Sequence, residues 1–409
     1  MKTQTSTILL ILTLVFSAQS FACTTAVISG KYTKDGRPLL WKHRDTWAVT
    51  NIIREFTDGK YTCVGLVNSS DTLGESIWIG YNDHGFGIMN SASYNLNNDT
   101  ITQSGLEGRL MKNALQTCAN IEDFEKFLDK LERPIRLEAN FGVIDGNGGA
   151  AYFELGNFKY VKIDANDPAV APYGYLIRTN YSFTGEIGLG GGYIRYVTAN
   201  NTFYEAVTSG NLTYKTMLQG CSRNLTHSLT GTDLNEFGNR KENNRKMVFF
   251  KDFIPRSGTS SSCVVQGVLE DENPEFTTMW SIVGFPLSSV IVPVWITKSG
   301  VLPQQLQYDK ELQDSPLCNK ALELKEYIYP YIAGGHSDYY IDINALINAD
   351  NTGIMQQLRP LESILTQRGE ELLNSMRRGK AGEGQIADYY KMADNKIELF
   401  YMKIIESKN

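Results

Sequence analysis

The junction between Ala22 and Cys23 is where this sequence offers a group that could do chemistry. Ser20-Phe21-Ala22 is a small-x-small pattern of the kind signal peptidase cuts, and it follows Lys2 and the short apolar run at 8–16, ILLILTLVF. Cleavage there is expected to make Cys23 the first residue of the mature chain. Its α-amino group, with an unperturbed pKa near ~7.7–8.0, would then share a residue with a thiol whose free value is near ~8.5. A neutral amine so placed can take the thiol proton, directly or through a water, and later return it to a leaving amine. Nucleophile and base arrive together, so no separate histidine is required. That suits a chain with only four histidines. Two blander readings of Cys23 are a structural or disulfide cysteine and an acylated lipoprotein anchor. The anchor signal asks for Leu three residues before the cysteine, where Ser20 stands.

The residues that follow must position that cysteine. Residues 24–29 (TTAVIS) are rich in β-branched types and predict a strand, Lys34-Asp35-Gly36 a turn, and residues 38–42 (PLLWK) the returning strand. A hairpin of that length brings Lys42, His43, Arg44 and Asp45 back beside Cys23. Cations near a thiol favour the thiolate, and a carboxylate can orient an amine. Residues two apart share a strand face, so Lys42 and Arg44 are both candidates for the thiolate cation.

The run CTTAVISGKYTKDGRPLLWKHRD resembles the start of the N-terminal-nucleophile cysteine hydrolases that act on linear amide C–N bonds. That group includes choloylglycine hydrolases, penicillin V acylases and isopenicillin N acyltransferases, and secreted dipeptidases begin similarly. The family pattern is Cys-Thr at the mature N-terminus and Arg-Asn-x-Asp after a hairpin. Cys23 and Asp45 match it, whereas Lys42 stands at the family's Arg and His43 at its Asn. Residues 80–90 (GYNDHGFGIMN) are similar to the strand pair that ends in an oxyanion-hole Asn, here Asn90. Residues 174–182 (GYLIRTNYS) are similar to the strand end carrying a second site Asn, here Asn180. Residues 191–196 (GGYIRY) look like the start of the following helix, whose Arg contacts nucleophile or substrate, here Arg195. The likeness spans residues 23–200. It implies an α+β fold, a four-layer αββα sandwich with two antiparallel sheets. It also implies a small-molecule amide substrate, an acyl-enzyme on Cys23 that ends in hydrolysis or acyl transfer, and no cofactor or metal.

The rest of the sequence is consistent with such a frame. Of its 409 residues, 42% are hydrophobic and 21% charged, enough for a large core, and the net charge is 39 − 45 = −6. No long basic run exists, which argues against a nucleic-acid binder. Neither the histidines nor the cysteines show zinc-ligand spacing. No stretch after residue 22 reaches the ~20 apolar residues of a membrane span. An exported protein, periplasmic or extracellular, is therefore expected, with residues 1–22 as signal peptide. Residues 23–304 are expected to form the core and residues 305–409 a mostly helical extension packed on it, with homo-oligomerisation left open.

Helical periodicity over 105–131 breaks near Asn120 and predicts two helices, and residues 195–208 predict a third. Strands are expected at 140–144, 150–155, 173–179, 260–267, 277–283 and 289–296. Ile386, Tyr389, Ala393, Ile397, Phe400 and Ile404 give the last helix an apolar face. Residues 46–56, read as a loop, and 193–203 are candidates to receive an acyl group or to join the core. Besides Cys23, five cysteines remain, so at most two disulfides could form among them.

Overall fold

The structure, a computed structural model, describes residues 23–239, 244–331 and 336–408. The expected signal peptide lies outside the described residues. Two antiparallel sheets form the frame. Strands β1 (Thr24–Ile28), β2 (Leu39–Asp45), β3 (Asn51–Phe56), β4 (Cys63–Asn68), β5 (Ile79–Asn82) and β6 (Gly87–Ala92) come first. Helices α1 (Glu107–Thr117) and α2 (Ile121–Asp129) follow, then β7 (Ala139–Ile144), β8 (Ala150–Leu155), β9 (Tyr160–Asp164) and β10 (Tyr175–Arg178). After α3 (Tyr193–Thr208) come a small hairpin, β11 (Thr226–His227) and β12 (Thr232–Asp233), and then β13 (Met247–Phe249). Strands β14 (Thr259–Gln266), β15 (Thr278–Val283) and β16 (Val292–Val294) complete the frame before α4 (Pro316–Ile328). The chain closes with β17 (Tyr340–Asp342), α5 (Ile343–Leu346), α6 (Ile354–Arg377) and α7 (Glu383–Glu406).

One sheet runs β10-β1-β2-β14-β15-β16 and the other runs β3 to β9 in sequence order. They stack face to face, with β1 and β2 lying on β6 and β7. Both faces of β1 are covered, so all five of its residues are buried and the strand reads as a continuous β-branched and apolar run. Gly142 on β7 lets the sheets approach: a Cβ there would meet Met89 of its own sheet and Val27 of the other.

Helices cover the outer faces. Leu110, Met111, Ala114 and Leu115 of α1 and Phe124 and Leu128 of α2 pack on Ile88, Phe141, Val143 and Phe153. On the other side, α3 lies against β10, α4 against β15 and α6 against β16. The result is the α+β sandwich with two antiparallel sheets that the resemblance implies.

Local signals place several boundaries. Asn120 caps α2 by accepting from the Asp123 amide at 2.9 Å, which explains the helix break there. The segment 46–56 is not a loop throughout: residues 51–56 form β3, the edge strand of the seven-stranded sheet. Its alternation is blurred because Asn51, Ile52 and Ile53 are all buried. All six cysteines are buried and unbridged.

Candidate functional site

The β1–β2 hairpin sets the register on which the site depends. Thr24 pairs with His43 and Thr25 with Lys42, so Cys23, one step further out, falls opposite Arg44. Cross-strand partners share a face. Cys23, Thr25, Lys42 and Arg44 therefore point between the sheets, where Thr25 accepts a hydrogen bond from the Tyr152 hydroxyl at 2.8 Å. Thr24, His43 and Asp45 point outward, toward Arg195 and Arg256.

On the inner face, Lys42 Nζ donates to Asn90 Oδ1 at 2.5 Å and Arg44 Nη1 to Asn51 Oδ1 at 2.7 Å. Both cations lie over the ring of Trp78, Arg44 at 4.5 Å and Lys42 at 5.6 Å from its centroid. Neither has a carboxylate within ion-pair distance among the described residues. Burial lowers the Lys42 ammonium to about 8, and the Cys23 thiol is the principal group pulling the other way. Arg44 shows the same balance, burial lowering it to about 10 against the pull of Cys23. Glu107, at the start of α1, is raised by burial, with Lys42 opposing.

On the outer face, Arg195 is the hub. It is 2% exposed, and its Nη1 donates to the Cys23 carbonyl at 2.6 Å and to Thr24 Oγ1 at 2.8 Å. Its Nη2 donates to Asn180 Oδ1 at 2.8 Å, and burial lowers this guanidinium to about 9. Gly192, in the left-handed region at φ +86°, starts α3 and leaves the space that the Arg195 guanidinium fills. Asn180 also donates from Nδ2 to the Ala92 carbonyl at 3.1 Å and bridges to Gly191 through its backbone.

Asp45 accepts from Arg256 Nη2 at 2.5 Å, Arg256 Nε at 3.1 Å and Thr259 Oγ1 at 2.5 Å. No hydrogen bond joins its carboxylate to the Cys23 nitrogen among the described residues. Arg256 and Thr259 thus clamp the Asp45 carboxylate at the end of β2. His43, 3.8 Å from Asp45, is lowered to about 4 by burial and stays neutral at physiological pH. It lies on the opposite face from the Cys23 side chain, so it is no base for that thiol.

The candidate site residues named from the sequence are therefore linked into one neighbourhood. Cys23, Lys42, Arg44 and Asn90 form its inner half, and Asp45, Asn180 and Arg195 its outer half. Sequence reading missed Arg256, Thr259, Asn51 and Trp78. No local signal marks them, because Arg256 and Thr259 are more than 200 positions from Asp45. The candidates for receiving an acyl group divide by exposure. Ile52, Phe56 and Phe203 are core, whereas Trp47 and Tyr193 are 66% and 70% exposed. A surface cavity of about 770 Å³ between α6 and α7, lined by Arg368, Tyr389 and Lys396, includes none of these residues.

No family model matches the chain, and no curated protein matches it. Among solved structures it is similar to the N-acylethanolamine-hydrolyzing acid amidase ortholog of Caenorhabditis elegans, at 14% identity and a TM-score of 0.38, over 59% of this chain and 92% of that one. It is similar to a variant of the conjugated bile acid hydrolase of Clostridium perfringens, at 12% identity and a TM-score of 0.37, over 67% and 92%. It is also similar to the penicillin V acylase of Agrobacterium tumefaciens, at 14% identity and a TM-score of 0.35, over 68% and 86%. At these identities the likeness extends to the fold alone.

Proposed function

We propose that this chain is an exported amidohydrolase that cleaves a linear amide C–N bond, in an N-acyl amide or a short peptide, through an acyl-enzyme on Cys23. The observation that carries the reading is a convergence on one residue. Arg195 binds the Cys23 carbonyl, and two buried cations share the face of its side chain. In this reading, removal of residues 1–22 frees the Cys23 amine. The amine takes the thiol proton, and the thiolate adds to the amide carbonyl carbon to give a tetrahedral oxyanion. As the C–N bond breaks, the ammonium returns its proton to the leaving amine, and a thioester remains. Water then adds to the thioester, the amine takes a proton from that water and gives it to the departing thiol, and the acid is released. The Asn90 amide and the nearby cations supply the positive potential that the oxyanion requires.

The test is turnover of a panel of N-acyl amides and dipeptides, read by release of free amine, together with the intact mass of the exported protein. The expected mass is that of a chain beginning at an unmodified Cys23, and Cys23→Ala should be folded and inactive. A correctly processed Cys23→Ala variant within about tenfold of wild type would sink the mechanism. A lipid adduct on Cys23 would replace it with an anchored protein.

A further inference from the structure

Lys42 and Asn90 meet across the two sheets, and the chemistry of the pair decides which way the amide faces. The Lys42 ammonium carries N–H groups and no lone pair, so at 2.5 Å it can face only the oxygen of Asn90. The Nδ2 group, with two N–H donors, must then point elsewhere. No hydrogen bond uses Nδ2 among the described residues, and it is not a buried nitrogen sealed from solvent. Pairing of β5 with β6 ends at Ile79 and Met89, so Asn90 lies just beyond the end of β5. Asn180 is the contrast, because Arg195 takes its oxygen and the Ala92 carbonyl takes its Nδ2. Of the two site asparagines, Asn180 is a strut and Asn90 keeps a donor to offer.

We propose that Lys42 is a positioning residue, pinning the Asn90 amide so that Nδ2 faces the carbonyl oxygen of the substrate. This rests on the acyl-enzyme reading above, and it gives Lys42 a task other than counter-ion to the thiolate. The lysine matters at a position where the resembled pattern has arginine. An ammonium is a compact donor that can end on one amide oxygen, whereas a guanidinium fork seeks two acceptors in its plane. Besides Asn90 and the Trp78 ring, the groups acting on Lys42 are Cys23 just before β1, Arg44 on its own strand, Cys263 on β14 and Glu107 at the start of α1. None of these can substitute for Asn90 as a neutral donor.

The experiment is a double-mutant cycle of Lys42→Met and Asn90→Ala, with kcat and KM measured on an amide that the wild type turns over. Asn90→Ala should lose on the order of 100-fold in kcat with KM little changed, as for other oxyanion donors. Lys42→Met should lose on the order of tenfold or more, and the double variant should be no slower than Asn90→Ala alone. Asn90→Asp keeps an acceptor for Lys42 but removes the N–H donors, so it should fold and be as slow as Asn90→Ala. Because it leaves Lys42 in place, it tests the proposal even if Lys42→Met does not fold. The rate of Cys23 alkylation by iodoacetamide against pH, which needs no substrate, should move to higher pH in Lys42→Met, because Lys42 and Cys23 act on each other, and should keep its profile in Asn90→Ala. Losses that multiply in the double variant, or an Asn90→Asp variant as fast as wild type, would overturn the proposal. Turnover by Lys42→Met that recovers fully at higher pH, where its thiolate forms, would make the lysine a thiolate counter-ion instead. Failure of the underlying reading is separate, because it shows as turnover by Cys23→Ala whatever the cycle gives.

Discussion

Glutamate 154 holds the strand end that carries Asn180, and removing its charge gives a measurable test of how the site is built. Glu154 on β8 and Arg178 on β10 form an ion pair at 2.6 Å, with side chains 0% and 1% exposed. The same carboxylate accepts from the Phe183 amide at 2.9 Å, the Thr184 amide at 2.8 Å and the Thr184 hydroxyl at 2.5 Å. Burial alone would raise Glu154. Arg178, the Thr184 hydroxyl and the two amides outweigh it and hold the carboxyl below its ordinary value. Glu154→Gln conserves shape but leaves the Arg178 guanidinium buried without a counter-charge, and it points N–H donors at other donors. Breaking a buried pair from one side costs about 3–5 kcal/mol, a large part of the roughly 5–15 kcal/mol by which folded proteins are stable.

Urea unfolding followed by circular dichroism should report that loss, and turnover should fall with it because residues 179–184 lose their anchor. Glu154→Leu with Arg178→Met should cost less than the single change. No charge is stranded there, and the Phe183 and Thr184 amides, being only part-buried, can turn to water. A loss below about 1 kcal/mol for Glu154→Gln, or a double variant less stable than the single one, would refute the reasoning.

The opposite face offers two further tests. Asp45→Asn should cost about 1–3 kcal/mol and lower kcat, since the Thr259 hydroxyl can reverse its hydrogen bond whereas Arg256 cannot; unchanged stability would mean that the Arg256 clamp is unimportant. His43, at 6.5 when exposed and about 4 when folded, binds fewer protons in the native state between those values. The stability it contributes is complete above pH 6.5 and is lost as pH falls toward 4, by roughly 3 kcal/mol. In His43→Gln, unfolding midpoints measured across that range should show a shallower acid fall, and an unchanged slope would remove His43 as the cause.

What the sequence determined by itself is chiefly local. The turn at residues 34–36 and the β-branched run after Cys23 specify a hairpin, and its length alone brings Lys42 and Arg44 back beside Cys23. The strand period then puts both cations on one face, because side chains two apart point the same way. Asn120 marked the helix break through its capping chemistry, and Asn180 and Arg195 were legible from the motif that carries each. Residues 51–56 misled because a strand buried early on both faces loses the alternation by which strands are recognised.

Only the tertiary structure decided which groups meet. Asp45 was placed near Cys23 by the hairpin, and β14, which pairs with β2, brings Thr259, with Arg256 just before that strand, to its carboxylate. Lys42 and Arg44 were both candidates for the thiolate cation, and the stacking of the second sheet adds Asn90 within reach of Lys42. Asn90 and Asn180 were equivalent as residue types and became a free donor and a fixed strut through their neighbours. Hydrogen bonds between sheets depend on strand order and stacking. Those arise from burial summed over the whole chain, and no short window of sequence contains them.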